Sequence, residues 1–190
     1  MECGDYLTLT FIRYADDWCA LARTKEEAQT ALTTAQKVLD ELRLTLHPEK
    51  TRIVDVRETA FDFLGFTFFW VESKDGTGRP LFGPKRAAIE RFKDKVRELT
   101  RRTRPMNLQM VIDDLAPVIR GWGQYFTISH HGNYYRLDAW IRERCRAFVA
   151  KRWNRNPALD AEWTNIRLAH MGLPSLAMMR RQVKAQFPRP

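Results

Sequence analysis

The chain has few cysteines and no long apolar run. Its 190 residues include three cysteines, Cys3, Cys19 and Cys145, and no two of them form a CxxC pair. A scattered, odd set argues against a disulfide framework or a zinc site and indicates a reducing compartment. The sequence shows neither a membrane-spanning run nor a basic-apolar leader. These absences predict a soluble protein of the cytoplasm.

Acidic residues are scarce in the middle of the chain. Residues 84–156 contain 17 Lys/Arg and 7 Asp/Glu, a net charge of +10, whereas residues 1–83 carry −4. The whole chain is 44% hydrophobic and 12% aromatic, which is enough for a core and excludes a low-complexity tail. A basic segment next to an acidic one predicts that the middle of the chain binds a polyanion.

Strand and helix patterns alternate before a run of turn-forming residues at 73–84. Apolar, β-branched residues predict a strand hairpin over 7–22, with Asp16 and Asp17 at its turn. Thr24 is a good N-cap for an amphipathic helix over 25–43. Further strands are expected over 51–56 and, as two short strands joined at Gly65, over 61–70.

Helical patterns follow the turn-rich run. The first predicted helix covers 84–102, with Pro84 in its first turn. The second begins after the N-cap Asn107 and is kinked or interrupted by Pro117. The third covers 132–154. Residues 157–190 contain a short helix-like segment and then a basic run with no clear pattern. Strands followed by helices predict an α+β fold.

The sharpest motif is the pair of adjacent carboxylates in Tyr14-Ala15-Asp16-Asp17. The apolar flanks should be buried in the strands and leave both acids at the rim of a sheet. Carboxylate oxygens at such a rim can bind a hard cation such as Mg²⁺. An isolated Asp-Asp pair is usually a solvated turn, but the flanking strands favour the metal-binding interpretation.

Four motifs, taken in order, resemble group II intron reverse transcriptases/maturases. Residues 11–20 (FIRYADDWCA) resemble the YxDD element, and residues 44–51 (LTLHPEKT) resemble an L-x-L-x-P-x-K-T segment. Residues 61–66 (FDFLGF) are similar to the primer-grip segment, and residues 119–126 (IRGWGQYF) to the R-G-W-x-x-Y-F core of the maturase-specific domain. The resemblance covers roughly residues 5–155.

The resemblance implies a domain order. Residues 1–72 would be the C-terminal part of a polymerase palm, an antiparallel sheet with a helix. Residues 73–83 would be a linker, residues 84–156 a helical maturase-specific or thumb domain, and residues 157–190 a basic C-terminal tail.

The resemblance also implies roles for the motif residues. Asp16 would be the main Mg²⁺ ligand and Asp17 a weaker or indirect ligand, and Lys50 would approach the triphosphate as a catalytic residue. A solvated loop lysine is the other interpretation of Lys50. The residues that would bind the primer or nucleotide are Tyr14, Phe63, Leu64, Gly65 and Phe66.

One feature of the family is missing from this sequence. The family's polymerase has a further catalytic Asp on an earlier palm strand, and Asp5 is not in that position. Two-metal chemistry needs carboxylates from separate strands. We therefore expect a C-terminal fragment that is inactive alone and that needs an upstream fingers-palm polypeptide as partner.

Basic residues on the predicted helices are the candidate RNA-binding surface. Trp122 and Phe126 are expected in the core, and His130 and His131 on the surface without a metal. The candidate RNA-binding residues are Lys85, Arg86, Arg91, Lys93, Lys95, Arg97, Arg101, Arg102, Arg104, Arg120, Arg142, Arg146, Lys151 and Arg152. From Arg142 onward they form a second cluster, which also contains Arg144 and Arg155 and is interleaved with Trp140, Phe148 and Trp153.

These features imply a protein that binds group II intron RNA to assist splicing. Its YADD half-site would contribute to RNA-templated DNA synthesis on a DNA primer or target, with Mg²⁺ in the completed active site. Two alternatives stay open: a splicing module that binds RNA without chemistry, and a fragment of another, retron-like reverse transcriptase lineage. The tail shows no endonuclease motif.

Overall fold

A computed structural model of the chain describes residues 10–130, 132–150 and 162–186. Small sheets and several helices confirm the predicted α+β fold. The chain divides into two compact units. The N-terminal unit comprises the described residues up to Leu64 together with Phe68–Pro80. The helical unit comprises Gly65–Thr67 and the described residues from Leu81 onward.

The N-terminal unit begins with the predicted hairpin and helix. Strands β1 (Thr10–Tyr14) and β2 (Asp17–Leu21) pair antiparallel. Helix α1 spans Lys25–Glu41. Its N-cap is Thr24, whose Oγ1 accepts a hydrogen bond from the Glu27 backbone N at 3.2 Å. The hairpin and the helix are thus confirmed, and residues 7–9 of the predicted hairpin lie outside the described residues.

The predicted strand over 51–56 is wrong. These residues form no strand, and Asp55 organises a turn instead. The Asp55 carboxylate accepts a hydrogen bond from the Arg57 backbone N at 2.9 Å and pairs with the Arg57 guanidinium at 2.7 Å. The Thr59 backbone N donates to the Asp55 carbonyl at 3.0 Å. A β-branched run becomes a strand only where a neighbouring strand accepts its hydrogen bonds, and here local turn bonds take that place.

A three-stranded sheet follows, in the order β3-β4-β5. Strands β3 (Phe61–Phe63) and β4 (Phe66–Glu72) confirm the two short strands joined by a tight bend. Strand β5 (Gly78–Pro84) occupies most of the segment expected as a linker. Pro84 ends this strand, so the prediction that it lies in the first turn of a helix is wrong, and that helix begins at Arg86.

Three long helices build the helical unit. They are α2 (Arg86–Leu99), α3 (Leu108–Phe126) and α4 (Tyr134–Ala150). Asn107 caps α3 as predicted, and its Oδ1 accepts from the Met110 backbone N at 2.9 Å. Pro117 lies inside α3 without interrupting it. Proline has no backbone N–H, so the Asp113 carbonyl lacks its helical hydrogen bond. Both residues are exposed, and water can solvate that carbonyl.

The C-terminal segment is part of the core. Two further helices, α5 (Asn165–His170) and α6 (Leu176–Gln186), pack there through buried leucines. Residues 157–161 and 187–190 of the expected tail lie outside the described residues. The fully buried core side chains are Val96, Val111, Ile112, Leu115, Ile119, Ile141, Cys145, Phe148, Leu168 and Leu176. Across residues 10–130, 132–150 and 162–186, no helix has the length and apolarity that crossing a membrane requires.

Candidate functional site

The YADD motif forms the tip of the β1–β2 hairpin. Tyr14 pairs with Asp17, so Ala15 and Asp16 are the two residues of the turn. Ala15 has a φ of 50°, a left-handed conformation that costs energy for a residue other than glycine. The Arg13 Nε donates to the Ala15 carbonyl at 2.9 Å and braces the turn. Asp16 and Asp17 are exposed, and Tyr14 is 69% exposed.

The two carboxylates suit Mg²⁺ in donor type but not in number. Mg²⁺ prefers an octahedral set of oxygen ligands, and adjacent aspartates can provide only part of it. In the part of the chain that the structure describes, no group of three or more His, Cys, Asp or Glu residues could hold a metal ion. The pair therefore does not make a complete metal site by itself, and no catalytic step follows from it alone.

The strands that flank the turn are less buried than the sequence predicts. Phe11 stacks on Trp18 with ring centroids 5.6 Å apart, yet Phe11, Ile12 and Leu21 are exposed. The Cys19 side chain is half-buried, and this burial raises the pKa of its thiol. The hairpin thus presents both its acids and its apolar residues to solvent.

Lys50 lies in the loop after α1. Its backbone N donates to the His47 carbonyl at 3.2 Å, which forms a turn, and its side chain is exposed. The structure records no hydrogen bond or ion pair between the Lys50 side chain and another described residue. The catalytic role of Lys50 therefore stays a prediction.

The candidate primer-grip segment makes a turn that only unusual backbone conformations allow. Leu64 and Gly65, between Phe63 and Phe66, have φ values of 47° and 79°. Two successive positive φ values are typical of a tight hairpin turn, and glycine adopts them without a steric cost. The Gly65 carbonyl accepts a hydrogen bond from the Lys85 backbone N at 2.9 Å, which ties the turn to the start of α2.

Aromatic residues join Phe66 to the end of α3. Phe66 is buried, and its ring centroid lies 5.3 Å from that of Tyr125 and 5.1 Å from that of Phe126. Trp122 stacks on Phe92 at 4.7 Å. The segment with Gly65 and Phe66 therefore packs against the R-G-W-x-x-Y-F segment within the helical unit. Phe126 is buried and Trp122 is partly buried against the core, which confirms the prediction that both pack there.

Several candidate RNA-binding residues are paired within the protein. Arg104 binds the Asp114 carboxylate and the Leu99 carbonyl, both at 2.8 Å. The Arg146 Nε donates to the Trp163 carbonyl at 2.9 Å. The other internal pairs are Lys93–Glu90, Lys95–Glu98, Arg97–Asp94 and the longer Arg142–Asp138 contact of 3.9 Å. These partners neutralise part of the positive charge that the sequence analysis predicted to be available for binding RNA.

Other candidates keep their charge available to solvent. Their side chains are exposed and make no hydrogen bond or ion pair with any residue that the structure describes: Arg86, Arg91, Arg101, Arg102 and Arg120. Lys85, at the N-cap of α2, is half-buried. Lys151, Arg152 and Arg155 lie outside the described residues, as does His131.

Three arginines converge where the C-terminal end of α2 meets α4. The Arg144 Nε donates to Thr100 Oγ1 at 2.9 Å, and its guanidinium approaches the last carbonyls of α2. Burial lowers the pKa of Arg144, and the positive charges of Arg102 and Arg97 lower it further. We call Arg97, Arg102 and Arg144 the arginine cluster. Asp94 neutralises part of the Arg97 charge, and the remaining positive charge of the three side chains favours an anion such as a phosphate.

Sequence reasoning did not identify the most buried charged side chain among the described residues. Asp138, on α4, is 3% exposed. Its carboxylate accepts hydrogen bonds from Ser175 Oγ at 2.6 Å and from the backbone N atoms of Leu176 at 2.9 Å and Ala177 at 3.1 Å. A side chain of α4 therefore caps the first turn of α6. His130 packs edge-on against Phe82, with centroids 4.6 Å apart.

Comparison with known protein families gives two matches, in chain order. Residues 2–68 match the family described as reverse transcriptase (RNA-dependent DNA polymerase). Residues 89–167 match the group II intron, maturase-specific domain. The first match contains the YADD turn, and the second contains the arginine cluster and most of α2 through α5. A search of curated proteins found no match.

Proposed function

We propose that this chain, which joins a part similar to reverse transcriptases to a group II intron maturase-specific part, binds intron RNA and assists its splicing. The observation that carries the proposal is the arginine cluster, with exposed Arg101 beside it, in the maturase-specific part. Phosphate contacts by such residues dominate the affinity of proteins for nucleic acids. The maturase-specific match counts against the retron-like alternative.

The YADD turn has a second proposed role, in DNA synthesis. Asp16 and Asp17 would supply two oxygen ligands for Mg²⁺, with Asp16 as the main ligand, and Tyr14 would lie beside the primer end. Further carboxylates would come from a fingers-palm polypeptide, because a two-metal centre needs acids from more than one strand. Lys50 would neutralise charge on the triphosphate, and Phe63, Leu64, Gly65 and Phe66 would contact the primer.

Salt dependence of RNA binding tests the splicing proposal. Each neutralised phosphate releases counterions, so about five contacts should give a log–log slope near −4. Reversal of Arg101 and Arg102 to Glu should flatten the slope and weaken binding to every RNA alike, because phosphate contacts carry no sequence information. Reversal of Lys25 and Lys37, on α1, is the matched control and should change affinity much less. Equal losses from the two variants would refute the proposal.

Primer extension tests the role in DNA synthesis. The 190-residue chain should not extend a primer on an RNA template with Mg²⁺, and extension should appear when a fingers-palm polypeptide is added. Asp16→Ala should then abolish it, whereas Asp40→Ala, at an exposed acid on α1, should not. Extension by the chain alone would overturn the half-site proposal. No extension in any combination would favour the alternative, an RNA-binding module without chemistry.

A further inference from the structure

Two adjacent tyrosines at the start of α4 have opposite environments. Tyr134 is buried, and its hydroxyl donates to the Phe126 carbonyl at 2.6 Å and lies 2.6 Å from Ser129 Oγ. Tyr135 is 62% exposed. The helical core accounts for Tyr134, whereas it leaves the ring of Tyr135 in solvent. A large exposed aromatic ring in a basic protein is a candidate for stacking on a base.

Arg181 of α6 holds the hydroxyl end of Tyr135 and leaves the ring accessible. The Arg181 Nε donates to the Tyr135 hydroxyl at 3.1 Å, and the guanidinium carbon lies 5.7 Å from the ring centroid. Arg167 is different, since its guanidinium carbon lies 4.1 Å from the centroid of the Trp163 ring and covers it. The Arg181 guanidinium thus lies farther from its ring than that of Arg167 does, and 62% of Tyr135 stays exposed.

The surroundings of Tyr135 are basic. Arg136, Arg181 and Lys184 are exposed, and α6 contains no acidic residue. The nearest acid along α4 is Asp138, which is buried and bonded to the start of α6. Met178, one turn before Arg181 on α6, is 61% exposed and adds an apolar neighbour. Positive charge beside exposed aromatic and apolar side chains fits a single-stranded nucleic acid.

This surface is separate from the arginine cluster. Tyr135 and Arg144 are nine residues apart on α4, which is two and a half helical turns at 3.6 residues per turn. They therefore lie on opposite sides of the helix. Arg144 faces the end of α2, and Tyr135 faces α6.

We propose that Tyr135 and Arg181 form a stacking site for an unpaired base of RNA. The base would stack on the Tyr135 ring, and Arg181 and Lys184 would contact the adjoining phosphates. The inference rests on the proposed function, because it assumes that the helical unit binds RNA. It adds a second contact, specific for single strands, on the far side of α4 from the arginine cluster.

Two RNAs distinguish stacking from general phosphate binding. One is a blunt hairpin, and the other is the same hairpin with a five-nucleotide single-stranded 3′ extension. By fluorescence anisotropy, the full chain should bind the extended RNA about tenfold more tightly, the ratio expected for one stacked base. Tyr135→Ala should reduce this ratio to about one. Tyr135→Phe should keep most of it, because a phenyl ring still stacks.

Two further variants test the contribution of Arg181 and provide a control substitution at another exposed residue. Arg181→Ala should also lower the ratio, because it frees the ring and removes a charge. Ile166→Ala, at an exposed residue of α5, should leave the ratio unchanged. If the unaltered chain binds neither RNA, the proposed function fails. If it binds both RNAs equally, or if Tyr135→Ala weakens binding to both by the same factor, RNA binding stands and the stacking site is overturned.

Discussion

The two units of this chain differ most in what they bury. Every described residue that is less than 9% exposed lies in the helical unit. In the N-terminal unit α1 has no buried residue, although it has an N-cap, acidic residues in its first turn and an amphipathic pattern. Phe11, Ile12, Leu21, Val38 and Leu42 are all exposed there. Local signals thus suffice to specify a hairpin and a helix, but they do not supply a core.

This contrast fits the proposed need for a fingers-palm polypeptide. Exposed apolar patches of this kind commonly mark surfaces that bind another protein. The helical unit, in contrast, has long-range bonds such as Asp138 to α6 and Arg144 to the end of α2. We expect the helical unit to determine the measured stability of the chain. Each of the following predictions tests or refines this comparison.

The same substitution in the two units should have very different costs. Leu115, on α3, is 0% exposed, whereas Leu42, after α1, is 63% exposed. Leu115→Ala should lower the free energy of unfolding by about 2–5 kcal/mol, because it removes buried methyl groups and leaves a cavity. Leu42→Ala should change it by less than about 0.5 kcal/mol. Denaturant unfolding followed by tryptophan fluorescence measures both, and equal losses would contradict the comparison.

Removal of the Asp138 carboxylate should detach α6. Asp138→Ala leaves two backbone N–H groups and the Ser175 hydroxyl without their acceptor, at a cost of about 2–4 kcal/mol. Hydrogen exchange at Leu176 and Ala177 should accelerate. Asp94→Ala is the control. The Asp94 carboxylate is exposed and, among the described residues, pairs only with Arg97, so this substitution should cost less than about 1 kcal/mol. Unchanged exchange at α6 would show that the cap does not hold it.

Two glycines of α3 should respond in opposite directions. A Cβ at Gly123 would lie 2.7 Å from Met179 Sδ and 2.9 Å from Leu176 Cδ2, whereas one at Gly121 would meet nothing within 4 Å. Gly123→Ala should therefore destabilise the chain by about 1–3 kcal/mol through overpacking against α6. Gly121→Ala should stabilise it by about 0.5–1 kcal/mol, because alanine favours a helix interior. Thermal unfolding compares them, and a shift of the same sign in both would argue against close approach of α6.

The two described cysteines should differ in reactivity. Burial raises the pKa of the Cys145 thiol to about 12 and also raises that of the half-buried Cys19. In a Cys3→Ser background at pH 8, a thiol reagent should label Cys19 in the folded chain and Cys145 only after unfolding. Because the folded pKa of Cys145 is raised, its contribution to stability is present below about pH 9 and is lost between pH 9 and 12. Fast labelling of Cys145 would mean that the helical core opens readily.

Features that depend on neighbouring residues could be predicted from the sequence. The YADD turn, the Thr24 and Asn107 caps and the bend at Gly65 are local, and all are present. The strand expected over 51–56 failed because a strand needs a partner that the local pattern does not specify. The sequence pattern also could not tell whether Pro117 interrupts the helix. Buried residues on both sides of Pro117 pack in the core and maintain α3.

Features that depend on distant partners could not be predicted. Asp138 meets the start of α6 from 37 residues away, and Arg144 meets Thr100 from 44. Which arginines stay free for RNA depends on such pairs, since Arg104 binds Asp114 and Arg146 binds the Trp163 carbonyl. The net charge of residues 84–156 therefore predicts a polyanionic partner, but it does not tell which of the basic residues would contact that partner.

The cap on α6 also makes the order of synthesis relevant to folding. A ribosome adds Asp138 before Ser175, Leu176 and Ala177, which follow 37 to 39 residues later. Until then the carboxylate has no N–H donors from α6, and the long 3.9 Å contact with Arg142 is too weak to offset its burial. The nascent α4 must therefore keep this side of its surface in water. Closure of the helical core around Asp138 therefore waits until α6 has been made.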